Sequence, residues 1–389
     1  MEIELSPDQK LAFAIIQDAI AAGEREMVLI GPAGSGKTTL MRAVIAWAEQ
    51  HRNVALMAPT GKAASRLREV TGKPASTIHR LLYEKALNDV DGNLVFLDVR
   101  AVAPIGSLVI VDEASMIGKQ LHADFMLKMA ADVQVLYVGD REQLPPVKDA
   151  VGPRMDKPTT LLTQVHRQAL ESPIIRMATA VRNGEKWTTA AKLELDSPDV
   201  DLLGEDDAVD WLIERRKAGI DATLLCFSNA TRAELNTKIR DKMKRTEPLE
   251  VGDTFICLRN NTTIGLMNGD TRTVAAIDDL GDMLRVYWTS PDNGSAIVVP
   301  RHIEAGSPLG DWRWILDDMP DAGYRKQAIP VDYGECITVH KSQGSQWSEV
   351  GIVHCGSLSW FSKKEPVQYR KLMYTAITRA AKRLAIFYR

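Results

Sequence analysis

Gly31, Gly36, Lys37 and Thr38 stand in the spacing G-x-x-x-x-G-K-T, within Gly31-Pro32-Ala33-Gly34-Ser35-Gly36-Lys37-Thr38. A loop of this kind holds phosphate oxygens on backbone N–H groups, aided by the positive end of the helix that follows. Lys37 would reach the β- and γ-phosphates, and the Thr38 hydroxyl would ligate Mg²⁺. Gly34, Ser35, Gly36, Lys37, Thr38 and Thr39 are therefore the candidate contacts to a nucleoside triphosphate. Asp112 and Glu113 form a second chemical pair, and two adjacent acids at a strand end repel each other without a cation. Asp112 is expected beside the Mg²⁺ and Glu113 as the base for an attacking water. Gln143, ahead of Pro145-Pro146, can sense the γ-phosphate or orient that water; a polar loop residue is the other reading.

Three residues read less sharply. The Gln9 amide offers one donor and one acceptor for an adenine edge, but taken alone a surface glutamine on a helix is the plainer reading. Arg167 is either a surface cation or an arginine finger supplied within the chain. Arg379 is either a solvated helix charge or a second cation facing the nucleotide.

The elements that must position these groups are legible around them. Met27-Val28-Leu29-Ile30 has strand length, and Thr39 to Ala48 spaces apolar residues like a helix, so the loop lies between strand and helix. Leu108-Val109-Ile110-Val111 ends in Asp112-Glu113, and Val133 to Val138 leads into Gly139-Asp140-Arg141-Glu142-Gln143. Val54 to Met57 leads into Ala58-Pro59-Thr60-Gly61-Lys62. In open α/β sheets ligands bind where strands end. Ser6 and Pro7 open a first helix. Residues 83–107 break the rhythm with an Asp91-Gly92 turn, which predicts a small β-hairpin. A second α/β series starts at Thr223–Cys226. From about 246 to 331 short β runs with Gly-rich turns predict a small barrel, after which the α/β pattern resumes.

Composition bounds the class. The chain has 389 residues, enough for about two to four domains. Its 45% hydrophobic and 25% charged residues are ordinary for a globular protein. No run of about 18 apolar residues occurs, so no membrane partner is expected. Met1-Glu2-Ile3-Glu4 is acidic and lacks a signal core, which points away from secretion. Cys226, Cys257, Cys336 and Cys355 are scattered, which fits free thiols in a reducing compartment. A net charge of −3 argues against a broad basic face but not against a narrow basic groove.

Taken in order, Gln9, GPAGSGKTT, APTGKAASRL, TIHRLL, VIVDEASM, VGDREQLPPV, VHRQ, ITVHKSQGSQW and YTAITRA closely resemble a superfamily 1B DNA helicase of the RecD/Dda-like branch. The resemblance implies an α/β fold with two RecA-like P-loop motor domains. The first would comprise 1–82 and 108–165, with a hairpin insertion, the pin, at 83–107. The second would comprise 166–245 and 332–389, with an SH3-like β-barrel insertion at 246–331. It implies Gln9 at adenine, Lys37 at the phosphates, Thr38 and Asp112 at Mg²⁺, Glu113 as base and Gln143 as γ-phosphate sensor. Arg167 and Arg379 would come from the second motor domain. Thr60, Lys62, His79, Thr338, His340 and Ser342 fall in segments that grip single-stranded DNA in such proteins. The implied activity uses ATP and Mg²⁺ to move 5′ to 3′ on single-stranded DNA and unwind duplexes, in replication, recombination or repair. The alternative is a DNA-stimulated ATPase that grips DNA without unwinding it. A small-molecule P-loop kinase would leave 337–347 and the two arginines without a task. Expected partners are single-stranded DNA and duplex junctions, with a single-stranded DNA-binding protein or other replication proteins as further candidates. The expected location is the cytoplasm of a bacterial or phage-infected cell, near the nucleoid.

Overall fold

The apolar runs of the first half become strands, and helices cover both of their faces. The computed structural model describes residues 4–82, 85–88, 94–97, 107–146, 149–258, 261, 263–266, 268–289, 293–298 and 327–388. Its early elements are α1 (Pro7–Ala21), β1 (Glu26–Ile30), α2 (Lys37–Ala48), β2 (Val54–Ala58), α3 (Gly61–Thr71), β3 (Ala75–Thr77), α4 (Ile78–Leu82), β4 (Lys85–Asn88), β5 (Leu94–Leu97) and β6 (Leu108–Val111). There follow α5 (Lys119–Lys128), β7 (Gln134–Gly139), β8 (Thr160–Leu161), α6 (Arg167–Leu170), α7 (Pro173–Arg182) and α8 (Trp187–Lys192).

Six of these strands form a parallel sheet in the order β3-β2-β6-β7-β1-β8. Alternate residues point to opposite faces. Leu29, Leu108, Ile110, Leu136 and Val138 pack with Ile16, Leu40 and Val44 on one side. Val28, Val109, Val111, Val135 and Tyr137 pack with Ile78 and Phe125 on the other. A sheet buried on both faces needs the near-continuous apolar runs seen in the sequence. Because the strands are parallel, β1, β6 and β7 deliver the phosphate loop, Asp112-Glu113 and the 139–146 turn to one edge. The hairpin expected at 83–107 has its two arms paired, with Asn88 opposite Leu94. The Asp91-Gly92 turn, Tyr83 and the side chain of Phe96 lie outside the described residues.

The later elements are β9 (Val200–Gly204), α9 (Ala208–Lys217), β10 (Ala222–Cys226), α10 (Asn229–Lys242), β11 (Thr254–Cys257), β12 (Thr271–Thr273), β13 (Ala276–Asp279), β14 (Leu284–Trp288) and β15 (Gly294–Val298). The chain closes with β16 (Val331–Tyr333), β17 (Cys336–Thr338), β18 (Trp347–His354), α11 (Gly356–Lys364), α12 (Pro366–Ile377) and β19 (Ala380–Tyr388). A second parallel sheet runs β17-β10-β18-β19-β9. The 246–331 region contributes to two three-stranded antiparallel sheets, β12-β11-β16 and β13-β14-β15. They share one core around Phe255, Val286, Trp288 and Val331. Asn236 ties α10 to the second sheet. Its amide donates to the Cys336 carbonyl and accepts from the Cys336 N–H, both at 2.9 Å.

The chain divides into two compact units, Met1–Ser197 with Pro366–Thr378, and Pro198–Glu365 with Arg379–Arg389. This division differs from the expected boundary after residue 165. The reason is packing. The His166 N–H donates to the Gly34 carbonyl at 3.0 Å, and α7 packs along α12, so both join the first unit. Among the described residues no helix is long and apolar enough to cross a membrane.

Candidate active site

Backbone conformation shapes the phosphate loop. Gly34 and Gly36 have φ of +77° and +78°, a region closed to most side chains. The space is closed as well. A Cβ on Gly36 would lie 2.3 Å from Gln9 Nε2 and 2.5 Å from His166 Nε2, and one on Gly34 would lie 2.9 Å from Ala169 Cβ. Gly36 caps α2, whose first turn is Lys37, Thr38 and Thr39. Lys37 Nζ donates to the carbonyls of Gly31 at 2.6 Å and Pro32 at 3.0 Å. The buried Ser35 hydroxyl also donates to Pro32, at 2.9 Å, and tightens the turn.

Gln9 is not the surface residue its helical position suggested. It is only 2% exposed. Its Oε1 accepts from the Ser6 N–H in a capping box, and its Nε2 donates to the Gly36 carbonyl at 3.0 Å. Gln9 thus fastens α1 to the loop. Asp8 makes a parallel tie, since its Oδ2 accepts from the N–H groups of Thr163 and Gln164 at 3.0 and 3.3 Å. Those bonds carry the chain into His166 and α6, against Gly34 and Gly36. Asp8 and His166 escaped the sequence reading, because no spacing rule marks either. Arg167 begins α6, and its side chain lies outside the described residues.

Asp112 and Glu113 follow β6 as expected. Glu113 takes φ +53°, a strained conformation for a residue with a side chain and one that collects at functional sites. Asp112 Oδ1 accepts from the Glu113 N–H at 2.9 Å. Burial, and then the charge of Glu113, push the Asp112 carboxyl up to about 6. A buried carboxylate so short of counter-charge fits a divalent cation held with Thr38. Among the described residues no group of three or more His, Cys, Asp or Glu side chains is placed to hold a metal ion.

The raised carboxyl makes a prediction about stability. Above pH 6 the folded chain carries an unfavourable buried charge that the unfolded chain does not feel, and below about pH 4 both forms are protonated. In EDTA, Asp112→Asn should therefore raise the melting temperature by several degrees at pH 8, on the order of 2 kcal/mol. The gain should shrink toward zero as pH falls through 6 to 4. Equal melting curves at pH 8 would remove this reading of Asp112.

Gln143 is 7% exposed, and its Oε1 has no hydrogen-bond partner among the described residues. The Ser115 hydroxyl, 2% exposed, is in the same condition. A buried polar atom without a protein partner is met by water or by a bound group. Gln143 and Ser115 follow adjacent strands, β7 and β6. A Cβ on Gly139 would lie 3.1 Å from the Ser115 nitrogen, so glycine lets the two turns approach.

The candidate DNA contacts fall at the strand ends of both units. Thr60 caps α3 by accepting from the Ala63 N–H at 3.2 Å; Lys62 lies in the first turn of α3 and His79 on α4. Thr338 ends β17, and His340 and Ser342 lie in the short 3-10 turn that follows. The buried Ser342 hydroxyl donates to the Val339 carbonyl at 2.7 Å, so it serves its own turn. Burial lowers the pKa of His79 and of His340, which favours neutral imidazoles. In the second unit Arg379 Nη1 donates to the Ser345 carbonyl at 3.1 Å, and the Arg379 carbonyl accepts from the Trp347 N–H at 3.0 Å. Arg379 therefore braces the 342–347 turn.

The chain's similarity to known proteins agrees with this geometry. The AAA domain family matches residues 4–198, half of the chain, and the UvrD-like helicase C-terminal domain matches 333–387. The ATP-dependent RecD2 DNA helicase of Deinococcus radiodurans is 33% identical over 93% of this chain and 47% of its own length. The ATP-dependent DNA helicase dda of Enterobacteria phage T4 is 29% identical over 63% of this chain and 58% of its own. This chain thus spans about half the length of those two relatives. The fold is similar to the crystal structure of Pif1 helicase from Bacteroides with ADP-AlF3 and single-stranded DNA, at a TM-score of 0.58 and 18% identity, covering 99% of this chain and 92% of that one. With the phosphate loop, the strained Glu113 and the ordered motifs, these matches place the chain in the superfamily 1B helicases, in the RecD/Dda-like branch.

Proposed function

We propose that the chain is an ATP-dependent DNA helicase that moves 5′ to 3′ on single-stranded DNA and unwinds duplexes at junctions. The observation that carries this reading is the strand edge where the phosphate loop, the raised Asp112, the strained Glu113 and the unpartnered Gln143 oxygen meet. Relatives named as ATP-dependent DNA helicases support the choice of DNA as substrate. Thr38 and Asp112 would hold Mg²⁺, which when bound neutralises charge on the phosphates. Lys37 leaves the Gly31 and Pro32 carbonyls for the triphosphate. Glu113 takes the proton of the attacking water, and Gln143 Oε1, an acceptor, orients that water. Arg167 and Arg379 add positive charge to the γ-phosphoryl group, and Gln9 sits beside the adenine. The 83–107 hairpin is the pin that meets the junction, and 246–331 is an SH3-like barrel.

Thr60 and Lys62, His79, and Thr338, His340 and Ser342 mark the three segments that contact the strand. Contacts through backbone, hydroxyl and cationic groups read phosphates and not bases, so binding should be sequence-independent and weaken steeply with salt. The deciding measurement is ATP-dependent strand separation on duplexes with a 5′ or a 3′ single-stranded tail. Unwinding confined to the 5′-tailed duplex is expected. DNA-stimulated ATP hydrolysis without separation of either would favour a DNA-gripping ATPase. The reading also carries a location, the bacterial or phage-infected cytoplasm near the nucleoid, with single-stranded DNA-binding protein as a candidate partner.

A further inference from the structure

The Tyr374 phenol is buried in the first unit, 1% exposed, and is bonded on both sides. It donates to Asp140 Oδ2 at 2.6 Å and accepts from the Ala33 N–H, inside the phosphate loop, at 2.8 Å. Asp140 is itself 2% exposed, and its other oxygen accepts from the Glu142 N–H at 3.0 Å. The Asp140 carbonyl accepts from the Gln143 N–H at 3.1 Å. The next residue of α12 acts on the same turn, since the Thr375 hydroxyl accepts from the Leu144 N–H at 3.1 Å and donates to the Lys371 carbonyl at 2.8 Å. Two consecutive side chains of α12 therefore hold both the phosphate loop and the turn that carries Gln143. Four residues after Thr375 the chain reaches Arg379 and enters the second unit.

We propose that Tyr374 is a positioning residue for the nucleotide: through Ala33 on one side and Asp140 on the other, it sets the phosphate loop and the Gln143 turn in one register before ATP arrives. The direction of the bonds gives the proposal its force. A carboxylate only accepts, so the phenol hydrogen must face Asp140 and a phenol lone pair must face the Ala33 N–H. The loop is then held at Ala33 by the tyrosine and at Gly36 by Gln9. A loop ordered in advance binds more tightly because less freedom is lost on binding. ATP, once bound, supplies its own order to the loop, so turnover at saturation should change little.

The proposal rests on the reading of this loop as an ATP site, and the test separates the two. Affinity for a fluorescent ATP, the N-methylanthraniloyl derivative, is measured with Mg²⁺ for the full chain and for Tyr374→Phe, beside the ATPase KM and kcat. The ring is kept and one hydroxyl is lost. Binding is expected to weaken about five- to tenfold, with KM rising alike and kcat nearly unchanged. Asp140→Asn keeps the side chain's shape but puts an amide N–H where an acceptor is needed, either at the phenol or at Glu142. It should weaken binding as well, and the double variant should be no worse than the weaker single one. Affinity for an oligothymidine strand should not move. If wild type fails to bind the probe, the ATP-site reading falls and the proposal with it. If wild type binds and Tyr374→Phe binds equally well, the proposal alone is overturned. A joint fall of kcat, DNA affinity and nucleotide affinity would make Tyr374 a general scaffold residue and overturn it too.

Discussion

Lys37→Ala should reduce ATP turnover by on the order of 10³-fold while the protein stays folded. The Lys37 ammonium donates to two backbone carbonyls of its own loop, Gly31 and Pro32. Neutral carbonyls are modest partners, and a triphosphate offers full negative charge and charge-assisted bonds about twice as strong. On the proposed reading the lysine is held close to the triphosphate, which would release it from these carbonyls. Removing it costs the fold the two exchanged bonds, about 1 kcal/mol each, which a unit with a six-stranded core tolerates. On the proposed reading it also costs the reaction a cation aimed at charge that develops on the γ-phosphoryl group. A steady-state ATPase assay with single-stranded DNA present, paired with a melting curve, checks both halves. Undiminished hydrolysis with an intact melting curve would remove Lys37 from the chemistry.

Why the phosphate loop was legible and Tyr374 was not follows from where each constraint lies. At Gly34 and Gly36 the backbone needs positive φ, and the neighbours leave no room for a Cβ, so the constraint is written into residue type at fixed spacing. The buried strands were legible for a similar reason: Leu108 to Val111 faces apolar layers on both sides and must itself be apolar throughout. The Tyr374 bond to Ala33 joins residues 341 apart in the chain, and no local pattern encodes it. Gln9 misled because its burial depends on a capping box and on Gly36, 27 residues away. The unit boundary differed because motif order follows the chain, whereas packing follows apolar faces. Ile174, Met177, Ala178 and Val181 make one buried stripe on α7, and α7 packs along α12, which lies in the same unit. Geometry that is local in sequence could be read directly, and geometry assembled by topology needed the structure.

Arg379→Ala should leave ATP binding nearly intact and slow hydrolysis by 10³-fold or more, the range seen when an arginine finger is lost. Two roles compete at this residue. The structure gives Arg379 a local task, because its guanidinium donates to the Ser345 carbonyl and its backbone carbonyl accepts from Trp347. The backbone bond does not depend on the side chain, whereas the alanine variant loses the bond to Ser345, worth about 1 kcal/mol net. The loss of that bond lowers the melting temperature by a few degrees. A finger, by contrast, acts only when negative charge builds on the transferred group, so its loss appears in kcat and not in ground-state affinity. Arg379→Lys separates the tasks. A lysine can restore one donor to Ser345, but it lacks the planar fork that engages phosphate oxygens in pairs. Recovery of the melting temperature without recovery of single-turnover hydrolysis is the expected result. Recovery of both would make the arginine a brace for the 342–347 turn, and loss of nucleotide binding in the alanine variant would lead to the same conclusion.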